Sequence, residues 1–138
     1  MEFAITDEQR LIQETAREVA EEYGPSYWRR MDNENEFPTE FYRELGEAGI
    51  LGALIPDEYG GSGMGLVDTL LAIEALAEGG VGPAASWFMV LTPIFGGISI
   101  LRNGTDEQKE SYLPLIADAE VEFSLGLTEP NAGTNTLS

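Results

Sequence analysis

Val121-Glu122-Phe123-Ser124-Leu125-Gly126-Leu127, running on into Thr128-Glu129-Pro130-Asn131-Ala132-Gly133-Thr134-Asn135, is the stretch on which the reading of this chain turns. Val121, Phe123, Leu125 and Leu127 alternate with Glu122, Ser124, Gly126 and Thr128, which places the apolar side chains on one face of a half-buried strand. Proline then fixes one dihedral, and glycine and asparagine tolerate positive φ, so the chain is expected to turn. A turn of this composition brings backbone N–H groups and the Thr128 and Thr134 hydroxyls within reach of a flat polar ring or a phosphate. The same residues also describe a plain strand-end turn.

Everything ahead of this stretch repeats at helical spacing. Thr6-Asp7-Glu8-Gln9 is a capping box, and Ile12, Ala16, Val19 and Tyr23 share the face that follows, up to Gly24-Pro25. Ser26 to Asp32 reads as a further short helix. Phe37-Pro38-Thr39 opens another, with Phe41, Tyr42, Leu45 and Ala48 as its stripe and Gly49 as its stop. Ile50 to Ile55 is short and almost wholly apolar, a buried strand or an extended crossing segment. Pro56 to Gly65 is a glycine-rich loop without the spacing of a dinucleotide or phosphate loop, so packing is its default reading. Leu66 to Glu78 is apolar on nearly every side, which predicts a helix at the centre of a bundle. Glu74 inside it is a candidate desolvated carboxylate, against the stronger reading that it hydrogen-bonds a nearby backbone group or lies at the helix edge. Pro83 to Leu91 and Ile94 to Arg102 are expected as two buried helical pieces, kinked or broken before Pro93. Thr105-Asp106-Glu107-Gln108 repeats the first capping box and starts a helix expected to end near Tyr112-Leu113-Pro114.

Composition removes much chemistry. The 138 residues contain no cysteine and no histidine, which excludes disulfides, thiolate metal sites and histidine-based catalysis. The length suits one domain able to bury about two-thirds of its unfolded surface. The net charge of -18 repels nucleic acid and anionic membranes. Disorder is the other meaning of such an excess, but 43% hydrophobic content in periodic blocks argues against it. A carboxylate-rich surface with Lys109 as its one lysine resembles proteins of salt-loving organisms. Gly79 to Leu101 carries no charge, yet Gly79-Gly80, Gly82-Pro83, Pro93 and Gly96-Gly97 divide it too finely for a membrane span. Met1-Glu2-Phe3-Ala4 shows no basic region with an apolar run behind it, so the expected location is the cytoplasm.

Three ordered blocks carry a family resemblance over nearly the whole chain. Leu125-Gly126-Leu127-Thr128-Glu129-Pro130-Asn131-Ala132-Gly133-Thr134-Asn135 resembles the flavin-binding segment of acyl-CoA dehydrogenases. Pro56-Asp57-Glu58-Tyr59-Gly60-Gly61-Ser62-Gly63 resembles that family's PEEYGGxG loop, and Gly104-Thr105-Asp106-Glu107-Gln108-Lys109 with Tyr112-Leu113-Pro114 resembles its GTEEQKxxYLP segment. The resemblance implies a mainly α fold, an orthogonal or up-down bundle of about five to six helices, with one terminal β-strand belonging to a β domain not contained here. It divides the chain into a helical domain at 1–119 and, at 120–138, the first strand and flavin loop of a truncated middle domain.

The resemblance also implies FAD as cofactor, an acyl-CoA thioester as substrate, electron-transferring flavoprotein as acceptor and a homotetramer when the chain is full length. By it, Leu125, Leu127, Thr128, Gly133 and Thr134 contact the cofactor, and Trp87, Phe88, Leu91 and Thr134 contact the substrate, with short or flat acyl groups favoured by the bulky pocket. The residue types of Trp87, Phe88, Leu91 and Phe95 equally suit core packing. The family's GSD stands here as Gly133-Thr134-Asn135, which keeps a hydroxyl and loses a carboxylate. No glutamate matches the family's catalytic base, so no catalytic residue is assigned, and the chain reads as a piece of the whole. Its rivals are a helical scaffold without catalysis and a flavin oxidase or monooxygenase relative.

Overall fold

The computed structural model describes residues 4–134 and shows a mainly helical domain, as expected. Helix α1 (Asp7–Glu22) begins where the sequence places its cap. Thr6 Oγ1 accepts the Gln9 N–H at 3.1 Å, and Gln9 Oε1 accepts the Thr6 N–H at 3.1 Å. Helix α2 (Pro25–Glu34) follows after two residues, with proline at its first position, and runs longer than its sequence stripe suggests. Asn35 ends it in the left-handed conformation. Helix α3 (Thr39–Glu47) carries the expected stripe, with Phe41, Tyr42 and Leu45 buried.

Residues 50–55 form neither a strand nor an extended crossing segment. They fold into successive turns closed by bonds such as Ala53 N–H to Ile50 O and Ile55 N–H to Gly52 O. A buried apolar run needs internal hydrogen bonds, and with no sheet edge beside it, turns supply them. The loop that follows contains a short 3-10 turn (Asp57–Tyr59) and folds back on this segment.

Helix α4 (Leu66–Leu76) is buried on one side only, through Thr69, Ala72, Ala75 and Leu76, while Leu66, Val67 and Leu70 are exposed. The reading of a fully enclosed central helix is therefore corrected: a single layer, mainly α1, covers it. Glu74 lies exposed at its edge, as the plainer reading had it. Asp68 ties the starts of α4 and α1 together, with Oδ2 accepting the Gly65 N–H at 2.8 Å and Oδ1 accepting from Gln9 Nε2 at 2.8 Å. A π turn (Ala77–Val81) ends this run, with Gly80 at φ 116° and Gly82 at φ 63°.

The next correction concerns Pro93. Helix α5 (Ala84–Asn103) is one continuous run of 20 residues, not two pieces, because residues Val90–Ile98 take the wider π spacing around the proline. Widening the turn accommodates the missing N–H and the ring without breaking the rod. By length and apolarity α5 equals a membrane span, yet its buried residues Ala85 and Met89 belong to the bundle core. Helix α6 (Asp106–Ala117) starts at the second capping box, with Thr105 Oγ1 accepting the Gln108 N–H at 3.2 Å. It continues through Pro114 instead of ending there, because Leu113, Ile116 and Ala117 are drawn into a buried cluster.

Two clusters make the core. The larger joins α1, α3, the turn segment, α4 and the start of α5, around Phe41, Leu45, Ile50, Leu51, Leu76 and Met89. Each large side chain removed from water here contributes about 1.5–3 kcal/mol. Helices α1 and α4 approach closely through alanines, and a Cβ at Gly79 would come within 2.5 Å of that of Ala20. The smaller cluster joins Ile55, Leu113, Ile116 and Ala117, with Val121 and Phe123 packed on it. It anchors the start of the C-terminal arm.

The arm is not a β-strand within the described residues. Its alternation survives in Val121 and Phe123, half-buried, against Glu122 and Ser124, exposed. Leu125 and Leu127 are 55% and 58% exposed, and no ladder forms, since a strand needs a neighbouring one to bond. The turn beyond is as expected: Glu129 N–H to Ala132 O at 2.9 Å and Ala132 N–H to Glu129 O at 3.2 Å close it around Pro130-Asn131. Asn131 forms it without positive φ. Asn135, the departure from the family pattern, lies outside the described residues.

Two stability predictions follow from this packing. A Cβ at Gly61 would press into the Ile55 carbonyl and come within 2.5 Å of that of Gly52, both fixed backbone. Gly61→Ala is expected to lower unfolding free energy by about 2–3 kcal/mol, and Gly126→Ala, which meets nothing within 4 Å, by under about 0.5 kcal/mol, read by urea titration. The second concerns charge. Among the described residues the ion pairs are Arg17–Glu78 at 3.5 Å, Arg30–Glu40 at 4.0 Å and Lys109–Asp106 at 3.8 Å, weak against 25 acidic residues. Raising KCl from about 0.1 to about 2 M is expected to raise Tm by several degrees. A Tm indifferent to salt would remove self-repulsion from the account.

Candidate functional site

The arm leaves the bundle through a clamp of two hydroxyls. Tyr42 Oη, on α3, donates to the Val121 carbonyl at 2.9 Å, and the Phe123 N–H donates to Thr92 Oγ1 at 3.1 Å. The Thr92 hydroxyl also lies near that of Tyr42. Thr92 is 3% exposed and sits in the π-spaced part of α5, immediately before Pro93. Burial there without a partner would be costly, so the arm's backbone and these two side chains satisfy one another. Burial pushes the Tyr42 hydroxyl above its ordinary pKa, the neighbouring Thr92 hydroxyl draws it partly back, and the charge of Glu122 raises it slightly further.

One turn along α5, Gly96 gives Phe123 its place. A Cβ at Gly96 would come within 2.5–2.9 Å of the Phe123 ring, so the bare backbone is what lets the ring lie on the helix. Phe123 also meets Tyr112 edge-on at 6.5 Å between centroids. Two bonds and one half-buried ring thus fix the arm at Val121 and Phe123.

Beside the clamp lies a pocket of about 160 Å3, lined by Phe37, Tyr42, Trp87, Phe88, Leu91, Thr92, Glu122 and Phe123. The structure brings Trp87, Phe88 and Leu91 together here. Their surroundings differ. Phe88 packs on Phe41 at 5.4 Å and Phe37 at 5.9 Å and closes the pocket from the core side, whereas Trp87 is 65% exposed at its rim. The choice between core and pocket for this aromatic stripe thus resolves residue by residue. Phe95, from the same stripe, is exposed outside it.

Leu125, Leu127, Thr128, Gly133 and Thr134 do not line this pocket; they lie on the arm beyond the clamp, with the side chains of Leu125, Leu127, Thr128 and Thr134 exposed. Among the described residues the backbone amides of Leu125 to Thr128 make no hydrogen bond. Two uncovered leucines, open amides and hydroxyls fit one face of a flat heteroaromatic ring with a polar edge and a diphosphate tail. Sequence reasoning missed Phe37, Tyr42, Thr92, Glu122 and Phe123 as pocket residues. Tyr42 and Phe123 read as ordinary core positions, and Thr92 carries no local signal. Burial raises the carboxyl pKa of Glu122.

The sequence profile described as "Acyl-CoA dehydrogenase, N-terminal domain" matches residues 6–120. The chain belongs to the acyl-CoA dehydrogenase family. It is 34% identical to the acyl-CoA dehydrogenase FadE12 of Mycobacterium tuberculosis over 97% of its own length and 34% of that protein's. Its fold is similar to that of glutaryl-coenzyme A dehydrogenase in complex with glutaryl-CoA, with a TM-score of 0.88 and 32% identity over 99% of this chain and 35% of that one. It is likewise similar to an acyl-CoA dehydrogenase complexed with FAD from Bacillus anthracis, with a TM-score of 0.82 and 30% identity over 96% of this chain and 22% of that one. The chain spans about a third of the length of the curated relatives it matches. The family's helical amino-terminal domain is what the bundle is.

The clamp is testable by itself. Thr92→Val removes the acceptor and leaves the Phe123 N–H unpaired, so the Phe123 amide is expected to exchange with deuterium about tenfold faster or more, while Thr92→Ser keeps the acceptor and the protection. Equal protection in all three proteins would show that the arm is held by Phe123 packing alone.

Proposed function

We propose that this chain is the amino-terminal part of an FAD-dependent acyl-CoA dehydrogenase, in which it forms one wall of the flavin site and the end of the acyl pocket. The observation that carries the reading is the clamp, which sets the exposed Leu125–Thr128 segment directly beside the pocket lined by Trp87, Phe88 and Leu91. In this reading Leu125 and Leu127 lie along the isoalloxazine, and Thr128 offers its hydroxyl and N–H to the pyrimidine edge. Gly133 and Thr134 meet the diphosphate, and Thr134 also faces the CoA side. The flavin, when bound, supplies the hydride acceptor. The residues of this chain bind, orient and exclude water; the proton-abstracting base is not among them.

The pocket supports short acyl groups. Its volume of about 160 Å3 equals roughly five molecular volumes of water, room for a few methylenes, and Phe88 blocks deeper entry. We further propose electron-transferring flavoprotein as the acceptor, a homotetramer for the whole enzyme, a cytoplasmic location and a salt-rich setting. No role in binding nucleic acid or membrane is proposed, given the net charge of -18.

The test uses the protein as the cell makes it, purified gently in concentrated salt. It is expected to be yellow with bound FAD, and anaerobic butyryl-CoA is expected to bleach the flavin, with kcat/KM at least tenfold above that for palmitoyl-CoA. A colourless protein that refuses added FAD would overturn the flavin reading. A preference for palmitoyl-CoA would overturn the short pocket.

A further inference from the structure

The acyl pocket is lined by aromatic, aliphatic and hydroxyl side chains and by one charged group, the carboxylate of Glu122. Glu122 sits between the two clamp bonds, so its backbone is fixed at both neighbours: the Val121 carbonyl accepts from Tyr42 and the Phe123 N–H donates to Thr92. A side chain anchored this way cannot withdraw by moving its strand. No arginine, lysine or histidine lines the pocket, and among the described residues Glu122 makes no ion pair. Arg43 is the one base in the adjoining hollow, which it shares with Glu47, Asp118, Glu120 and Glu122. That hollow is net acidic too. Its surroundings already disfavour the charge on Glu122, as its raised pKa shows.

We propose that Glu122 is a specificity-determining residue that admits short acyl groups with an uncharged end and rejects those ending in a carboxylate. The inference rests on the acyl-CoA reading above and narrows its substrate class. A second carboxylate entering this pocket would meet Glu122 at close range without a cation to divide the charge. Like charges at such distance in a partly desolvated site disfavour binding by about a hundredfold or more. A neutral chain of the same length meets only rings and Leu91. Glutaryl-CoA, the ligand of one structure similar to this fold, is thereby disfavoured as a substrate of this protein.

The experiment compares pentanoyl-CoA with glutaryl-CoA on the full-length flavoenzyme, measuring kcat/KM for each by flavin reduction. The wild-type protein is expected to favour pentanoyl-CoA by about a hundredfold or more. Glu122→Gln, which keeps shape and removes charge, is expected to narrow that ratio by at least tenfold, and Glu122→Ala to narrow it likewise. The ratio is the readout because loosened packing would depress both substrates together. A wild-type ratio near one, or a ratio that both variants leave unchanged, overturns the role of Glu122. If neither thioester reduces the flavin of the wild-type protein, the acyl-CoA reading itself falls, and the substrate assignment with it.

Discussion

The hydrogen bond from the Phe123 N–H to Thr92 Oγ1, paired with that from Tyr42 Oη to the Val121 carbonyl, is the constraint on which the rest of the molecule converges. Thr92 must be nearly fully buried to reach the arm, and it must stand beside Pro93, in a helix turn wide enough to take a proline. Tyr42 must be held on α3, where its ring meets those of Phe37 at 5.4 Å and Phe88 at 6.2 Å. Each partner is thus positioned by a different element, and the arm is set where both can be met. Remove either hydroxyl and a buried polar group loses its partner, which costs more than the bond itself contributes.

This explains why α5 keeps a π segment that costs regularity. A proline in an ordinary helix would cost a hydrogen bond or break the run, and the chain would lose the continuous element that carries Ala85 and Met89 in the core at one end and Gly96 under the Phe123 ring further along. Wider spacing through Val90–Ile98 keeps both ends on one rod. Irregular helical turns of this kind occur often at functional sites, and here the irregular turn contains Leu91 and Thr92 of the pocket wall.

What the sequence made legible was local. Both capping boxes join residues three apart, and the chemistry of Thr6 with Gln9 and of Thr105 with Gln108 suffices to place two helix starts. The Pro130-Asn131 turn is local in the same way. The clamp is not: its partners are 79 and 31 residues apart, and nothing near Thr92 announces that its hydroxyl will meet a backbone amide from the arm. The readings that needed correction share one cause. The breaks at Pro93 and Pro114, the enclosure of α4 and the strand at Ile50–Ile55 were inferred from residue preference, and each was decided by what lay across from the residue in the fold. The three family blocks succeeded because they carry that tertiary information as a pattern of whole words, where single residues do not.

Charge completes the picture, because the carboxylates of this protein fall into two environments. Most stand in solvent on helix faces, where counter-ions reach them within a Debye length of about 3 Å at molar salt and their mutual repulsion fades. Glu122 is exposed on the arm as well, but one side of it lies against the pocket wall, where burial raises its carboxyl pKa. Salt therefore relaxes the surface, and it screens the pocket's charge only in part where the wall covers one side of the carboxylate. Stability and selectivity thus draw on different acids: the many on the helix faces set the self-repulsion of the bundle, and the one on the arm sets the charge at the pocket mouth.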